Sequence, residues 1–241
     1  MNIDSITPYR MALLDYFSGD RSARLIIHRD DGYRDDHCMH VYFQNVEQFS
    51  PTDKAAVDLS RGRILDIGAG AGRHSLALQA LGYQVCAVDI CTEAVHIMRK
   101  RGVRDVRCVD VFDMKHVSFD TLLIMMHGVG ILKNLSGLDR FLRHARALVA
   151  SEGQILMDSV DMRQTRNPVH LAYQEFNRRC GRYFGETRLV FEYQGIKGSS
   201  FEWLQVDPET LREYARNSGW NCSISGGSPR GDYLARLQLA E

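Results

Sequence analysis

Neither sign of charge prevails in this sequence. Its 30 lysines and arginines are balanced by 30 aspartates and glutamates, and the pI is near 7.1. That balance argues against a nucleic-acid polyanion as the dominant partner, although a local basic patch is compatible with it. Long apolar runs are missing too. No stretch approaches the ~18 residues that a membrane-spanning helix requires. The opening MNIDSITPYR lacks the basic-then-apolar pattern of a secretion signal. The six cysteines, Cys38, Cys86, Cys91, Cys108, Cys180 and Cys222, are scattered along the chain. Cys86 and Cys108 fall in apolar, strand-like runs, where cysteine acts as a small hydrophobe. A reduced, cytoplasmic protein is expected. There are no repeats and no low-complexity tract. At 241 residues, the chain can bury roughly 70–75% of its unfolded surface and needs no disulfide or metal staple.

What the sequence does have is alternation. Between residues 61 and 160, strand-like runs (RILDIG, YQVCAVDI, VRCVDV, FDTLLIMM, GQILMDSV) alternate with helix-like ones. In RHSLALQALG, the spacing puts Leu76, Ala77, Ala80 and Leu81 on one helical face, with Gly82 as a stop. Thr92 offers an N-cap for EAVHIMRKRG, whose terminal basic residues complement the helix dipole. Ser136 and Asp139 resemble a capping box opening GLDRFLRHARALVA. Strands apolar on both faces, separated by helices, imply a parallel sheet covered on both sides.

The flanks differ from this core. Residues 1–60 hold a helix near Met11–Phe17 and a polar stretch, and are expected to cap the site. Residues 161–206 read as an Arg-rich lid and an added hairpin, RLVFEYQ and FEWLQV around GIKGSS. Residues 207–241 begin with Asp207 as N-cap and Pro208 in the first turn of a helix. Two last strands, near Trp220–Ser225 and Tyr233–Leu239, should close the sheet antiparallel.

The informative stretch is ILDIGAGAGRHSLAL. An apolar run reaches Asp66, then Gly68, Gly70 and Gly72 fall at alternate positions. A phosphate-binding P-loop needs G-x-x-x-x-G-K-[ST], and here Arg73 and His74 follow Gly72. A dinucleotide fingerprint needs its third glycine at position 73, which is Arg73. That weakens a nicotinamide-dependent oxidoreductase without removing it. Asp66, Asp89 and Asp110 end three successive strands. A strand-end acid such as Asp89 can accept from both hydroxyls of a ribose, in a nicotinamide site as in others.

The combination Asp66-x-Gly68-x-Gly70-x-Gly72 with Asp89 and Asp110 resembles the class I S-adenosylmethionine-dependent methyltransferases, over residues 61–160. A weaker resemblance to a group of bacterial small-molecule members reaches into both flanks. The resemblance implies a Rossmann-like α/β fold. Its seven-stranded, mostly parallel sheet carries helices on both faces, the N-terminal cap and the inserted hairpin lobe. It implies S-adenosyl-L-methionine as cofactor and S-adenosyl-L-homocysteine as product. The implied cofactor residues are Asp66 at the methionine amino group, and Gly68, Ala69, Gly70 and Gly72 in the bare loop. Asp89 and Ile90 would meet the ribose, Asp110 and Val111 the adenine, and Met126 would follow the fourth strand. A scaffold that binds without catalysing is a further alternative.

Other candidates flank this set. MMHGVGILKN after the fourth strand lacks the Asn/Asp-Pro-Pro-aromatic signature of enzymes that methylate nucleic-acid amines, so a small-molecule acceptor is expected. His127 is a candidate general base or substrate contact. Tyr42 or Phe43 could face the sulfonium through a cation–π contact. Tyr173 would border the acceptor. Arg163 and Arg166, with four further arginines to Arg188, would serve an acceptor bearing a carboxylate or phosphate. His37, Cys38 and His40 beside Asp35 and Asp36 lack the paired spacing of a zinc site. No metal is expected there, and the stretch reads as a mobile entrance segment. Neither a membrane partner nor a particular oligomeric state is indicated.

Overall fold

A computed structural model of the chain describes residues 3–115 and 117–240. It opens with α1 (Ile3–Ser18), which begins well before the expected Met11, and continues into the hairpin β1 (Arg24–Arg29) and β2 (Arg34–Cys38). Next come α2 (Pro51–Leu59), β3 (Arg63–Ile67), α3 (Arg73–Ala80), β4 (Gln84–Asp89), α4 (Thr92–Arg101) and β5 (Asp105–Cys108). β6 (Phe119–Ile124), α5 (Leu135–Ala145), β7 (Val149–Val160) and α6 (Pro168–Arg179) follow. The chain ends with β8 (Glu186–Tyr193), β9 (Ile196–Lys197), β10 (Phe201–Leu204), α7 (Pro208–Asn217), β11 (Trp220–Ser225) and β12 (Asp232–Leu239).

β3 to β7 are parallel neighbours in a seven-stranded sheet ordered β11-β12-β7-β6-β3-β4-β5. The last two strands run antiparallel, as expected. Successive strand residues point to opposite faces, and both faces are apolar. Leu65, Leu122 and Ile155 pack with α5 and α7 on one side. Ile64, Leu123 and Leu156 pack with α2 and Leu78 of α3 on the other. This is the buried, two-faced parallel sheet that the apolar runs imply.

A second sheet, β10-β8-β1-β2 with β9 beside β8, joins the two ends of the chain. β1 pairs antiparallel with β8, Ile26 opposite Glu192. The stretch read as a mobile entrance is therefore an ordered edge strand, with Arg24 opposite Cys38. α1 lies between this sheet and α4. Leu13 and Tyr16 pack with Phe191 and Phe201 on one side and with Ala94 and Ile97 on the other.

Three local readings are corrected. α3 does not bury Leu76, Ala77, Ala80 and Leu81; Leu81 is 63% exposed, while Arg73, His74, Ser75 and Leu78 face inward. The buried polar residues have partners there, described below, and hydrophobic periodicity does not register them. α4 is capped by Cys91, whose sulfur accepts from the Ala94 N–H, with Thr92 as its first residue. α5 is capped by Asn134, whose side chain accepts from the Gly137 N–H at 2.9 Å, rather than by Ser136. Cys86 is buried as expected, whereas Cys108 is exposed at the end of the short edge strand.

Candidate active site

Five parallel strands end at one edge of the central sheet, and the second sheet stands over that edge. Between them lies a cavity of about 730 Å³. An open α/β sheet binds ligands at this place because the strand-to-helix loops leave a crevice there.

The glycine loop forms its floor. Gly68 and Ala69 N–H groups donate to the Val88 carbonyl, which turns the chain off β3 and across β4. Gly68 and Gly70 have φ of +68° and +57°, a left-handed backbone that favours glycine. A Cβ on Gly70 would stand 3.2 Å from the Tyr9 hydroxyl, a tight contact that the ring would have to relieve by shifting. Asp89 secures the turn: Oδ2 accepts from the Gly70 N–H and Oδ1 from the Cys91 N–H, both at 2.9 Å. Asp66 is 2% exposed, and its Oδ2 accepts from the Ser75 hydroxyl at 2.6 Å. Burial raises the pKa of both carboxyls, against the hydrogen bonds each accepts. Both acids line the same cavity. Asp110 lies further out. It is exposed, and its Oδ1 accepts from the Phe112 N–H at 3.0 Å, capping a single turn, Val111–Asp113.

Ala69, Ile90, Val111, Met126, His127 and Tyr42 line the cavity with the glycines and the three acids. Met126 and His127 are consecutive left-handed residues with φ of +61° and +56°, an uncommon backbone for non-glycine side chains. Carboxylates from two neighbouring strands hold them: Asp158 of β7 accepts from the His127 N–H at 2.8 Å, and Asp232 of β12 lies 3.0 Å from Nε2. Tyr42 packs edge-on to Tyr9 with centroids 5.3 Å apart, and burial raises its pKa, so its phenol stays protonated.

Five sequence candidates lie off the cavity. Gly72 turns the chain into α3, where a Cβ would meet Met98 at 2.9 Å, so its role is packing against α4. Phe43 stacks on Tyr16 at 4.8 Å beneath the Arg101 guanidinium. Tyr173 is 2% exposed behind the second sheet; its hydroxyl donates to Asp30, and the Arg29 guanidinium covers its ring. Arg163 is held by Asp161 at 2.8 Å and also pairs with Asp207 and Glu209. Arg166 is exposed and does not line the cavity. Arg163 is thus taken up by Asp161, two residues before it, and by two acids at the start of α7. Among the described residues, no group of three or more His, Cys, Asp or Glu side chains could hold a metal ion. No described helix is long and apolar enough to cross a membrane.

A methyltransferase-domain family model matches residues 33–222. A solved S-adenosylmethionine-dependent methyltransferase from Bacteroides fragilis, in complex with S-adenosyl-L-homocysteine, is 32% identical; the match covers 100% of this chain and 98% of that one, with a TM-score of 0.86. The chain belongs to the class I S-adenosylmethionine-dependent methyltransferases. The CcbJ methyltransferase from Streptomyces caelestis shares the fold at 11% identity, covering 83% of this chain and 98% of that one, with a TM-score of 0.61. The ubiquinone biosynthesis O-methyltransferase of Xanthomonas oryzae is 39% identical over 56 residues, 23% of either chain, so the match spans about a quarter of that relative.

In this methyltransferase, several cavity residues belong to none of the site motifs, and His37 stands out in the sequence only through its cysteine and histidine neighbours. Tyr9 arrives on α1 and Trp203 on β10. Arg29, His37 and Thr187 arrive on three strands of the second sheet. His74 also faces the cavity, backed by Asp53 at 2.8 Å, which pairs in turn with Arg73.

Proposed function

We propose that this cavity binds S-adenosyl-L-methionine along the glycine loop and that the protein transfers its methyl group to an O, N or S nucleophile of a small molecule held against the second sheet. The observation that carries the reading is the convergence of Asp66, Asp89 and Asp110 with Gly68 and Gly70 on one cavity, Asp66 being buried and Asp89 half-buried. Each Asp89 oxygen already accepts one backbone N–H and has a second lone pair free. It can therefore take two ribose hydroxyls without releasing the loop. Asp66 has one side-chain partner and stands ready for a cationic amino group. Asp110 and the Val111 backbone are left for the adenine edge, beside Phe112.

The bound cofactor supplies a methyl already activated on a sulfonium, so the chain's task is alignment. Rigid placement of two reactants can contribute roughly 7–11 kcal/mol. The Met126–His127 turn and the second sheet form opposite walls that keep acceptor and glycine loop in register and exclude water. Tyr42, protonated, offers an aromatic ring to a cation and does not serve as a base. An anionic acceptor finds no free guanidinium on the second-sheet wall: Arg29, which does line the cavity, is paired with Asp31 at 2.7 Å. Titration calorimetry tests the reading. S-adenosyl-L-homocysteine should bind and NAD should not; the reverse would make the cavity a nicotinamide site.

A further inference from the structure

Residues two apart on each strand of the second sheet face the cavity: Leu25 and Ile27 on β1, Leu189 and Phe191 on β8. With Trp203 of β10 they make an apolar wall carrying two aromatic side chains, Phe191 and Trp203, and Arg29 and Thr187 extend it along β1 and β8. Polar groups gather at its margin, opposite the Met126–His127 turn. His37 lies there, edge-on to Tyr42 with ring centroids 5.5 Å apart. Its Nε2 is buried and has no hydrogen-bond partner. A buried imidazole nitrogen without a partner costs free energy unless a ligand supplies one.

His127 faces it. Asp232 is held ionised, with its carboxyl lowered to about 2 by the His127 bond and then, against burial, by the Ser228 hydroxyl. An ionised carboxylate only accepts, so Nε2 of His127 carries a hydrogen towards it. In the neutral imidazole this leaves a lone pair on Nδ1, which is bonded to no described residue. His127 itself lines the cavity, and Nδ1 is the nitrogen that the Asp232 contact leaves open.

We propose that the acceptor is a planar, largely apolar molecule methylated on a hydroxyl oxygen, that the hydroxyl sits between His37 and His127, and that Asp232 and Asp158 position His127 as its base. The proposal rests on the methyltransferase reading and adds the methylated atom and the body that carries it. A neutral amine needs no base to attack, whereas a hydroxyl must lose a proton. Nδ1 of His127 takes that proton as the O–H bond breaks. The oxygen forms its bond to the methyl carbon, and the S–C electron pair remains on sulfur as a neutral thioether. One positive charge is present before and after, first on the sulfonium and then on the imidazolium, which returns its proton to solvent. His37 steers the hydroxyl by a hydrogen bond; burial lowers its pKa, against the pull of Asp35 and with a further push from the His127 charge.

The pH dependence follows from the groups around His127. Burial lowers its pKa, but Asp232, Asp158 and Asp53 outweigh that and raise it above the ordinary value. The positive-capable groups around it are His37 opposite, and His74 and Arg73 on Asp53. The base form therefore grows as pH rises through a value above about 6.5, and kcat should rise with it.

The test uses full-length enzyme, labelled S-adenosylmethionine, and a panel of phenols and naphthols matched with the corresponding anilines and thiols. Methyl should appear on oxygen, with a single-proton rise in kcat. His127→Asn suits the left-handed backbone. It should lower kcat about 100-fold or more, the range of general-base loss, and abolish the rise while leaving homocysteine-product binding within threefold. Asp232→Asn should move the rise to lower pH and lower the His127 titration seen by histidine NMR of the product-bound protein. His37→Phe should raise the phenol KM about five- to tenfold, the loss of one neutral hydrogen bond. Preference for anilines or thiols, a flat pH profile, or a rise surviving in His127→Asn would overturn the proposal. Product binding with no phenol or naphthol methylated overturns the acceptor class alone; failure of S-adenosylhomocysteine to bind overturns the methyltransferase reading beneath it.

Discussion

At the residue scale, the decisive groups are carboxylates, and each does different work. Asp89 holds the glycine loop and, in the proposed function, the cofactor ribose. Asp89→Asn keeps one acceptor for the loop and removes the charge. A charge-assisted hydrogen bond contributes about 1.5–3 kcal/mol, so titration calorimetry should show S-adenosylhomocysteine affinity falling about tenfold or more. The urea midpoint should move little. Asp53 works on stability. Burial pushes its carboxyl up, yet hydrogen bonding and charge from His74, then Arg73, hold it well below the usual carboxylate range. A depressed folded pKa stabilises at pH above the unfolded value of about 3.9, and the contribution is lost as pH falls towards the folded value. Asp53→Ala leaves Arg73, 5% exposed, without its carboxylate. The expected cost is about 3–5 kcal/mol near pH 7, shrinking below pH ~4, as read from urea melts across pH.

At the scale of elements, the docking of the second sheet onto the turn after β6 shapes one side of the cavity. Trp203 of β10 lies against Gly130, where a Cβ would fall 1.9 Å from its ring. Gly130→Ala must displace the indole, an overpacking that costs about 1–3 kcal/mol. Its fluorescence should shift to the red, with the buried Trp220 as an unshifted internal reference. The helix α1 is secured differently. Arg10 Nε donates to Glu93 of α4 at 2.6 Å, and its guanidinium makes a second bond to the same carboxylate. The ion pair bridges the helix carrying Tyr9 to the site. Arg10→Ala should speed amide exchange in α1 and hasten S-adenosylhomocysteine release in stopped-flow displacement, because Tyr9 stands over Gly70. The sequence revealed α1 only in part and not its packing, because its buried face includes Ser5 and Pro8, which no apolar periodicity marks.

At the scale of the whole molecule, the two sheets and α1 enclose the cavity together, so a ligand that fills it should stabilise the assembly as a unit. S-adenosylhomocysteine at a hundred times its Kd should add about 2.7 kcal/mol. For a chain of this size, ~2–4 °C per kcal/mol translates that into a Tm rise of about 5–10 °C by calorimetry. An Asp89→Asn variant should need correspondingly more ligand for the same rise. The α/β order, the parallel core and the antiparallel closing strands were legible because each strand carries its own apolar run, bounded by glycine or an acid. The union of β1 and β8 was not. The two strands come from opposite flanks, and only their shared burial over α1 brings them together.

The sequence by itself determined the glycine loop and the acids at the ends of β3, β4 and β5, because each depends on residues adjacent in the chain and on strand direction alone. Local spacing suffices where backbone conformation is the whole requirement. Only the tertiary structure decided which side chains face the acceptor. His127 meets Asp232 across 105 residues. It also removed Arg163 from the site, because a guanidinium takes the nearest well-placed carboxylates, and Asp161 lies two residues away. Polar pairs of this kind are set by geometry between elements. Their members look like ordinary surface residues until the fold brings the two elements side by side.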